Sequence, residues 1–354
     1  MRSLPGTDVL LVLRALNLGD LLVAVPALRA LRRAHPDHHL VLATRPELAP
    51  VVALTGAVDE LLPTDGPAAL HWTRSAPPEL AVNLHGTGPQ SHRVLDGIHP
   101  RRRIAFRSAG WDGPEWTDIA RRYPHERQRW CALPAGYGIP ADPDDLALPA
   151  PPPPAWMAAA PVLIHPGARY GAKRWPADRF AAVAAALEGD GQPVLVTGSA
   201  AERPLGCAAA AGAGLPQRRV LAGRTDLSQL CALVAGAALV VSGDTGIAHL
   251  ASAFGTPSVV LFGPVDPARW GPPANGPHRA LTDAGARRGD PFAEDPDPAL
   301  LAIDAADVLR AVREVCGMRR PPAPLPGQPP AGAAIPDAVP DAIATRRVVD
   351  RPGR

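Results

Sequence analysis

Lysine is almost missing from this chain, which contains one lysine, Lys173, and 35 arginines among its 354 residues. The 36 basic and 34 acidic residues nearly cancel, leaving a formal net charge of +2. The densest basic run is RRR at 101–103, which we interpret as a solvated turn before a strand. Because no longer basic run is present, the sequence does not indicate a nucleic acid as a partner.

Cysteine is scarce as well, and long hydrophobic runs are missing. No two cysteines have CxxC spacing and no Cys/His cluster is present, which disfavours a zinc site and favours a reduced, cytoplasmic protein. The apolar run near the N-terminus is interrupted at Arg14 and is too short to span a bilayer. No small-residue cleavage site follows it, so we interpret the run as a buried strand. The four cysteines are Cys131, Cys207, Cys231 and Cys316.

The first half of the chain alternates between apolar runs and a helical pattern. Strands are predicted at 8–14, 39–45, 59–64 and 79–86. A helical pattern that stops at Pro36 separates the first two strands, and 107–130 predicts a helix plus a loop. Strand, helix and strand within about forty residues form a βαβ unit, which implies a parallel sheet covered on both faces.

A proline run interrupts this alternation, and the alternation then restarts. The run lies within 148–157 and predicts an extended linker, because proline suits neither a helix nor an inner strand. Further strands are predicted at 161–168, 192–199, 218–223 and 238–246, with 258–264 as the last strand. Helices are predicted at 176–191, 200–212, 226–237, 247–255 and 304–316.

The predicted architecture is therefore α/β, with two Rossmann-like βαβ domains that face each other across a cleft. The predicted divisions are a first domain at 1–150, a linker at 151–157, a second domain at 158–318 and a disordered Pro/Ala-rich tail at 319–354. A ligand is expected between the domains, at the carboxyl ends of the strands.

Two loops of the second half have the composition of a phosphate site. In SGDTGIAHL a strand ends at Ser242, and Asp244, Thr245 and Gly246 open a helix whose free N–H groups suit an anion. His249 follows Thr245 by one helical turn. The alternative is that Asp244 only caps the helix and His249 packs in a crevice. In GARYGAKRWP, Lys173 lies on a glycine-rich loop after a strand, where a compact ammonium can reach phosphate.

Two carboxylates occupy comparable positions after strands. Glu202 lies near the start of the helix after VTGS, where it could accept hydrogen bonds from a ribose or only cap the helix. Asp20 lies where the loop ALNLGD meets the first helix, and is either a general base across the cleft or an N-cap. A single glycine in that loop is not the GxGxxG fingerprint, which disfavours a dehydrogenase.

Four stretches in this order resemble glycosyltransferase family 9, the heptosyltransferases of the lipopolysaccharide inner core. The resemblance covers roughly 8–316. It rests, in chain order, on Gly19-Asp20 with Pro26 downstream, Lys173-x-Trp175-Pro176, TGS with Glu202, Asp244-Thr245-Gly246-x-x-His249 and Leu261-Phe262-Gly263-Pro264. It implies a GT-B fold and an inverting, metal-independent transfer with no cofactor.

The resemblance also implies roles for single residues and partners. Asp20 corresponds to the catalytic base, Lys173 to a phosphate contact and Glu202 to a ribose contact. Asp244, Thr245, Gly246 and His249 are expected to line the diphosphate and sugar. Arg169 stands where some members carry phosphate-binding threonines, and we expect it to replace them.

The expected partners are a nucleotide-diphosphate sugar, usually ADP-heptose, held by the second domain and a glycan or glycolipid acceptor held by the first. The expected location is the cytoplasm, with peripheral contact at the inner membrane face left open. Two other functions stay open: a nucleotide-sugar epimerase and a non-catalytic nucleotide-sugar-binding protein.

Overall fold

A computed structural model describes residues 8–108, 110–157 and 159–317 of the chain. The first half forms a five-stranded sheet in the order β3-β2-β1-β4-β5, with every pair parallel. In the central strand, Leu11 lies opposite Val41 on one side and Ala81 on the other. The strands are β1 Val9–Leu13, β2 His39–Thr44, β3 Glu60–Pro63, β4 Leu80–Asn83 and β5 Arg102–Ile104.

Helix α1 is the longest element of this half and positions the loop that follows β1. Its apolar positions Leu21, Leu28 and Leu31 are buried in the core. It ends at Ala34, two residues ahead of Pro36, because proline disfavours helix in the preceding residue. The helices of this half are α1 Leu18–Ala34, α2 Ala49–Leu54, α3 Gln90–Asp96, α4 Trp116–Arg122 and α5 Glu126–Ala135.

The second half repeats this layout with a sheet in the order β10-β9-β8-β6-β7, again entirely parallel. Its strands are β6 Val162–His165, β7 Val194–Val196, β8 Leu239–Gly243, β9 Ser258–Leu261 and β10 His278–Leu281. Its helices are α6 Ala177–Gly189, α7 Arg203–Gly212, α8 Leu227–Gly236, α9 Gly246–Phe254, α10 Pro267–Trp270, α11 Pro298–Leu301 and α12 Ala305–Gly317. Two covered parallel sheets confirm the predicted α/β class with two Rossmann-like domains.

Helix ends in the second domain follow the predicted signals. The Asp226 carboxylate caps α8 by accepting a hydrogen bond from the backbone N–H of Gln229 at 2.8 Å. Helix α9 ends at Gly255, whose φ of +67° lies in the left-handed region that glycine adopts without a steric penalty.

Three local predictions are wrong. Residues 218–223 form no strand: a 3₁₀ turn spans Gln217–Arg219, and Val220 makes a single bridge to Val196. The run 258–264 is not the last strand, since β10 follows it at the sheet edge. The run RRR at 101–103 is not only a solvated turn, because Arg102–Ile104 form edge strand β5 with the arginines exposed and Ile104 buried.

The two domains touch directly. The backbone N–H of Leu148 donates to the carbonyl of Ala253 at 2.9 Å. The carboxylate of Glu126 on α5 accepts from Nε of Arg269 on α10 at 2.8 Å. The first turn of α1 faces α9, so the carboxyl edges of the two sheets lie on either side of one cleft.

The predicted domain boundaries and the linker at 151–157 stay predictions, and the predicted tail at 319–354 lies outside the described residues. Among the helices of the described ranges, none is long and apolar enough to cross a membrane.

Candidate functional site

The strand order fixes where a ligand site should lie in each domain. The order reverses between β1 and β4 in the first sheet and between β6 and β8 in the second. At such a switch point the following loops diverge and leave a crevice at the carboxyl edge. The segments that follow these four strands carry Asp20 in the first turn of α1, and His85, Lys173 and Asp244 in loops. The predicted residues Asp20, Lys173 and Asp244 therefore lie at the two switch points.

Lys173 and Asp244 form an ion pair at the second switch point. The Nζ of Lys173 donates to Oδ2 of Asp244 at 2.7 Å, with the lysine side chain 23% and the aspartate 6% exposed. Gly243 permits this approach, since a Cβ there would lie 2.9 Å from the carbonyl oxygen of Lys173. The lone lysine is thus held by a buried carboxylate, while part of its side chain stays open to solvent.

The residue that caps helix α9 is not the predicted one. Thr245, and not Asp244, is the N-cap residue, because Asp244 points to Lys173. The buried hydroxyl of Thr245 has no hydrogen-bond partner within the described residues, and Gly246 is the first helical residue. Helix N-termini leave backbone N–H groups without intrahelical partners. The turn therefore offers an unsatisfied hydroxyl and N–H groups beside the lysine.

His249 connects the two sides of the cleft. It lies in α9 with its ring 5.8 Å from the ring of Trp270. A Cβ on Gly19 of α1 would lie only 2.7 Å from Cδ2 of His249, so the ring rests on the backbone of the residue before Asp20. Burial lowers the pKa of His249, while Asp244 and then Asp20 oppose that shift. The imidazole is therefore neutral at neutral pH, and the negative charges of both carboxylates act on it.

Asp20 is not the N-cap of α1. The N-cap is Asn17, whose backbone N–H donates to Oδ2 of Asp20 at 3.2 Å, so Asp20 occupies the third helical position. Its side chain stays 25% exposed at the carboxyl end of β1. The carboxylate supports the first turn of α1 from the third helical position and stays partly exposed, so the predicted N-cap role is wrong and the role of general base stays a prediction.

Glu202 is the N-cap residue of α7 and does not lie in its first turn. Its Oε2 accepts from the backbone N–H of Ser199 at 2.8 Å. Its carboxyl group lies against the backbone of Gly167, where no side chain would fit. This contact brings Glu202 to the loop after β6 that leads to Lys173. One carboxylate oxygen is therefore committed to a local turn.

Arg169 is exposed, and its guanidinium lies 5.6 Å over the ring of the adjacent Tyr170. Lys173 of this loop contacts Asp244, whereas Arg169 of the same loop is exposed to solvent. Within the described ranges, no group of three or more His, Cys, Asp or Glu side chains is arranged to hold a metal ion.

Two residues near Asp20 were not predicted as site residues. Arg14 is 1% exposed and donates through Nε and Nη2 to the carbonyl oxygen of Asp20 at 3.0 and 2.7 Å. His85 follows β4, and burial together with the charge of Arg14 lowers its pKa to about 4, against the opposing effect of Asp20. A charged residue that ends an apolar strand was the sequence signal for Arg14.

Part of the chain matches a known family and its curated members. Residues 142–283 match glycosyltransferase family 9 (heptosyltransferase). Lipopolysaccharide heptosyltransferase 2 of Escherichia coli K12 is 39% identical over 106 residues, 29% of this chain and 30% of that protein. Lipopolysaccharide heptosyltransferase 3 of Escherichia coli is 35% identical over 156 residues, 43% of this chain and 45% of that protein. The chain thus spans less than half the length of these curated relatives.

Solved structures agree over nearly the whole fold. The structure of E. coli ADP-heptose lipopolysaccharide heptosyltransferase II superposes with a TM-score of 0.70 and 22% identity, covering 88% of this chain and 99% of that one. A family 9 glycosyltransferase from Veillonella parvula gives a TM-score of 0.68 with 18% identity, covering 88% of this chain and 98% of that one. These likenesses confirm the predicted GT-B fold.

Proposed function

We propose that this chain is an inverting glycosyltransferase, because residues 142–283 match glycosyltransferase family 9. The proposed donor is ADP-heptose, and the proposed acceptor is a hydroxyl of a lipopolysaccharide-type glycolipid reached at the inner face of the cytoplasmic membrane. The names of the curated relatives support heptose and lipopolysaccharide, and the name of the E. coli structural neighbour supports ADP-heptose as the donor. The observation that carries the proposal is the Lys173–Asp244 ion pair beside the N-terminus of α9, across the cleft from Asp20.

The donor diphosphate fits beside Lys173 and the first turn of α9. The ammonium supplies a positive charge without the planar geometry of a guanidinium. The N-terminus of α9 adds N–H groups and the positive end of a helix dipole. Thr245 can give its hydroxyl, which lacks a protein partner in the described part of the chain.

Asp244 has a different role in this proposal. Its carboxylate would repel a diphosphate at short range. It is also committed to Nζ of Lys173 at 2.7 Å and is almost fully buried. Asp244 therefore holds the ammonium in place, so that the lysine pays little conformational entropy when the donor binds. Asp244 thus lines the donor site, as the family resemblance implies, but acts on the diphosphate through Lys173.

The transfer step follows from these positions. As the bond between the sugar and the diphosphate breaks, negative charge grows on the leaving phosphate, and Lys173 and the α9 N–H groups stabilise it. Asp20 takes the proton of the acceptor hydroxyl as that oxygen attacks the anomeric carbon from the opposite face, which inverts the configuration. His249, neutral at neutral pH, can donate or accept a hydrogen bond to the sugar between the two.

Glu202 and Arg169 lie at the outer part of the donor site. The Glu202 carboxylate, with Oε2 on the N–H of Ser199, is proposed to accept from a ribose hydroxyl through its other oxygen. Arg169 is proposed to swing from the ring of Tyr170 toward the nucleotide phosphate when the donor binds. Both contacts would serve donor affinity more than the chemical step.

The test combines turnover with donor binding. Asp20→Asn is expected to bind ADP-heptose normally by calorimetry and to lose about 10²- to 10⁴-fold in kcat. Asp37→Asn is the matched control, because it removes an exposed carboxylate from the turn between α1 and β2, at the opposite end of the same helix from Asp20. A variant Asp20→Asn that keeps most of its rate would contradict the proposal.

Lys173→Arg tests the phosphate contact separately. We expect donor affinity to fall roughly tenfold, since the planar guanidinium cannot keep both Asp244 and a phosphate oxygen in the geometry of an ammonium. Unchanged affinity would exclude the phosphate role. Product analysis with donor alone separates a transferase from an epimerase, because only the epimerase converts the donor sugar without an acceptor.

A further inference from the structure

Arg14 is a buried cation directly beneath the first turn of α1. Its backbone is fixed at the end of β1: its N–H donates to the carbonyl of Ala43 at 2.9 Å and its carbonyl accepts from the hydroxyl of Thr44 at 2.8 Å. Its side chain, 1% exposed, is among the largest that are fully buried in the described chain. The guanidinium therefore starts from a fixed point of the sheet and has no room to move.

The guanidinium joins two loops of the cleft. Its Nε and Nη2 donate to the carbonyl oxygen of Asp20 at 3.0 and 2.7 Å, and its Nη1 donates to the carbonyl of Leu84. Nη2 also lies 4.0 Å from Oδ1 of the Asp20 carboxylate. One planar group thus fixes the backbone of Asp20 relative to the residue that precedes His85.

Burying this charge is costly, and the surroundings only partly offset the cost. The guanidinium lies 4.3 Å over the ring of Trp130, and the negative charges of Asp20 and Glu126 favour its charged form. Burial nevertheless lowers the pKa of Arg14 to about 10, which keeps it protonated at neutral pH. An apolar side chain at this strand end would often be no less stable than a buried ion pair. The charge therefore points to a role beyond folding.

We infer that Arg14 is a positioning residue that holds Asp20 in register with the loop at Leu84–His85, and so sets the direction of the catalytic carboxylate. The inference rests on the proposed function, in which Asp20 is the general base. Arg14 itself is buried and has no access to substrate. Its effect on the rate passes through the two hydrogen bonds to the Asp20 carbonyl and the nearby carboxylate.

Lysine at this position would keep the charge and lose the planar fork. An ammonium donates from a single atom, whereas Arg14 donates from three nitrogens to the carbonyls of Asp20 and Leu84, which lie far apart in the chain. Arg14→Lys should therefore leave Asp20 charged but less well directed. Because a misplacement of about 1 Å can cost 10²-fold, we expect kcat to fall roughly 10- to 100-fold.

The experiment measures kcat, the KM for donor and the donor affinity of Arg14→Lys, alone and combined with Asp20→Asn. Donor affinity should stay within about twofold, because Arg14 lies in the other domain from Lys173. In the Asp20→Asn background, Arg14→Lys should cause no further loss of rate, since the group it directs is absent. Arg29→Lys is the matched control: it removes a similar fork, from Arg29 to the carbonyls of Thr55 and Ala147.

A second readout needs no turnover. Hydrogen exchange of Arg14→Lys should rise in the peptides that cover 17–22 and 84–86 and stay unchanged in those that cover β6 to β9. If Arg14→Lys does not fold, Arg14→Gln, which buries an amide without a charge, takes its place in both measurements.

Three outcomes overturn the inference. The first is that Arg14→Lys has the kcat of the unsubstituted chain. The second is that Arg14→Lys lowers kcat by the same factor in the Asp20→Asn background as alone. The third is that hydrogen exchange in the peptides covering 17–22 does not change. The proposed function fails differently, through absent transfer by the unsubstituted chain or a normal rate for Asp20→Asn, and the exchange result then still decides whether Arg14 positions the loop.

Discussion

Gly19→Ala places one methyl group at the contact between the domains. The new Cβ would lie 2.7 Å from Cδ2 and 3.1 Å from Nε2 of His249, where ordinary contacts begin at 3.4 Å. The His249 ring would have to retreat by about 0.7 Å. The ring is packed near Trp270, and its neighbours Ala248 and Leu250 are buried, so α9 must move with it. The domains are therefore pushed apart at the point where Asp20 faces the donor helix.

The magnitude follows from two opposing effects of the methyl group. Alanine in place of glycine within a helix stabilises by roughly 0.5–1 kcal/mol. Overpacking a tight contact costs about 1–3 kcal/mol. We expect the clash to exceed the helix gain, so the free energy of unfolding should fall by about 1 kcal/mol. A shift approaching 1 Å between base and donor should lower kcat by up to about 10²-fold.

Urea unfolding and steady-state kinetics of Gly19→Ala check both expectations. Gly189→Ala serves as the control, since it also changes a helical glycine and its Cβ would meet nothing within 4 Å. A Gly19→Ala chain that is more stable than the unsubstituted chain and turns over at the same rate would refute the contact. Loss of donor affinity without loss of kcat would refute the proposed separation of the domains.

Two further predictions concern the contacts between the domains at the N-terminus of α5. The Nδ1 of His125 accepts from the N–H of Arg127 at 3.0 Å, and its Nε2 donates to the carbonyl of Gly271 at 2.9 Å. A ring with one acceptor and one donor nitrogen is neutral, and burial lowers the pKa of His125 from 6.5 to about 4. Because the folded state disfavours the charged ring, the contribution of His125 to the free energy of unfolding is complete above pH 6.5 and should fall by on the order of 1–3 kcal/mol toward pH 4. In unfolding titrations, His125→Gln should remove this part of the acid loss and leave the part due to His85, whose pKa is also lowered to about 4. Glu126→Gln should lower the free energy of unfolding in urea by roughly 1–3 kcal/mol, because Arg129 and Arg269 lose a buried carboxylate partner. Glu115→Gln, which breaks the exposed pair with Arg107, should lower it by less than about 1 kcal/mol. Equal effects of the two variants would contradict this account.

Most of the fold could be predicted because buried parallel strands are continuous apolar runs. Strands β1, β6 and β8 were predicted within two or three residues, and α9 ends at the expected Gly255. Strand β10 was missed because it is an edge strand whose half-exposed residues His278–Leu281 do not form such a run. The run at 218–223 was predicted as a strand from its apolar residues. The neighbouring strand β7 has only three residues, and the run pairs with it through the single bridge between Val220 and Val196.

The site was only partly predictable because its key contacts join distant parts of the chain. Lys173 and Asp244 are 71 positions apart, and only the order β8-β6-β7 makes their loops neighbours. The sequence pattern identified the two residues but could not reveal that they form a pair. Arg14 was noticed as a charge that interrupts an apolar run, and its function depends on carbonyl groups, which carry no sequence signature.

The nearly complete replacement of lysine by arginine makes these two cations informative. At residue 14 three nitrogens of one planar group reach two carbonyls inside the protein, which an ammonium cannot do. At residue 173 a buried carboxylate holds a compact ammonium while 23% of the side chain remains open. A guanidinium there would be satisfied in a bidentate pair with Asp244 and would have less reason to bind phosphate. Arginine therefore suits residue 14, where the charge is bound inside the protein, and lysine suits residue 173, where the charge is shared with a ligand. For this reason Arg14→Lys should lower kcat, and Lys173→Arg should lower donor affinity.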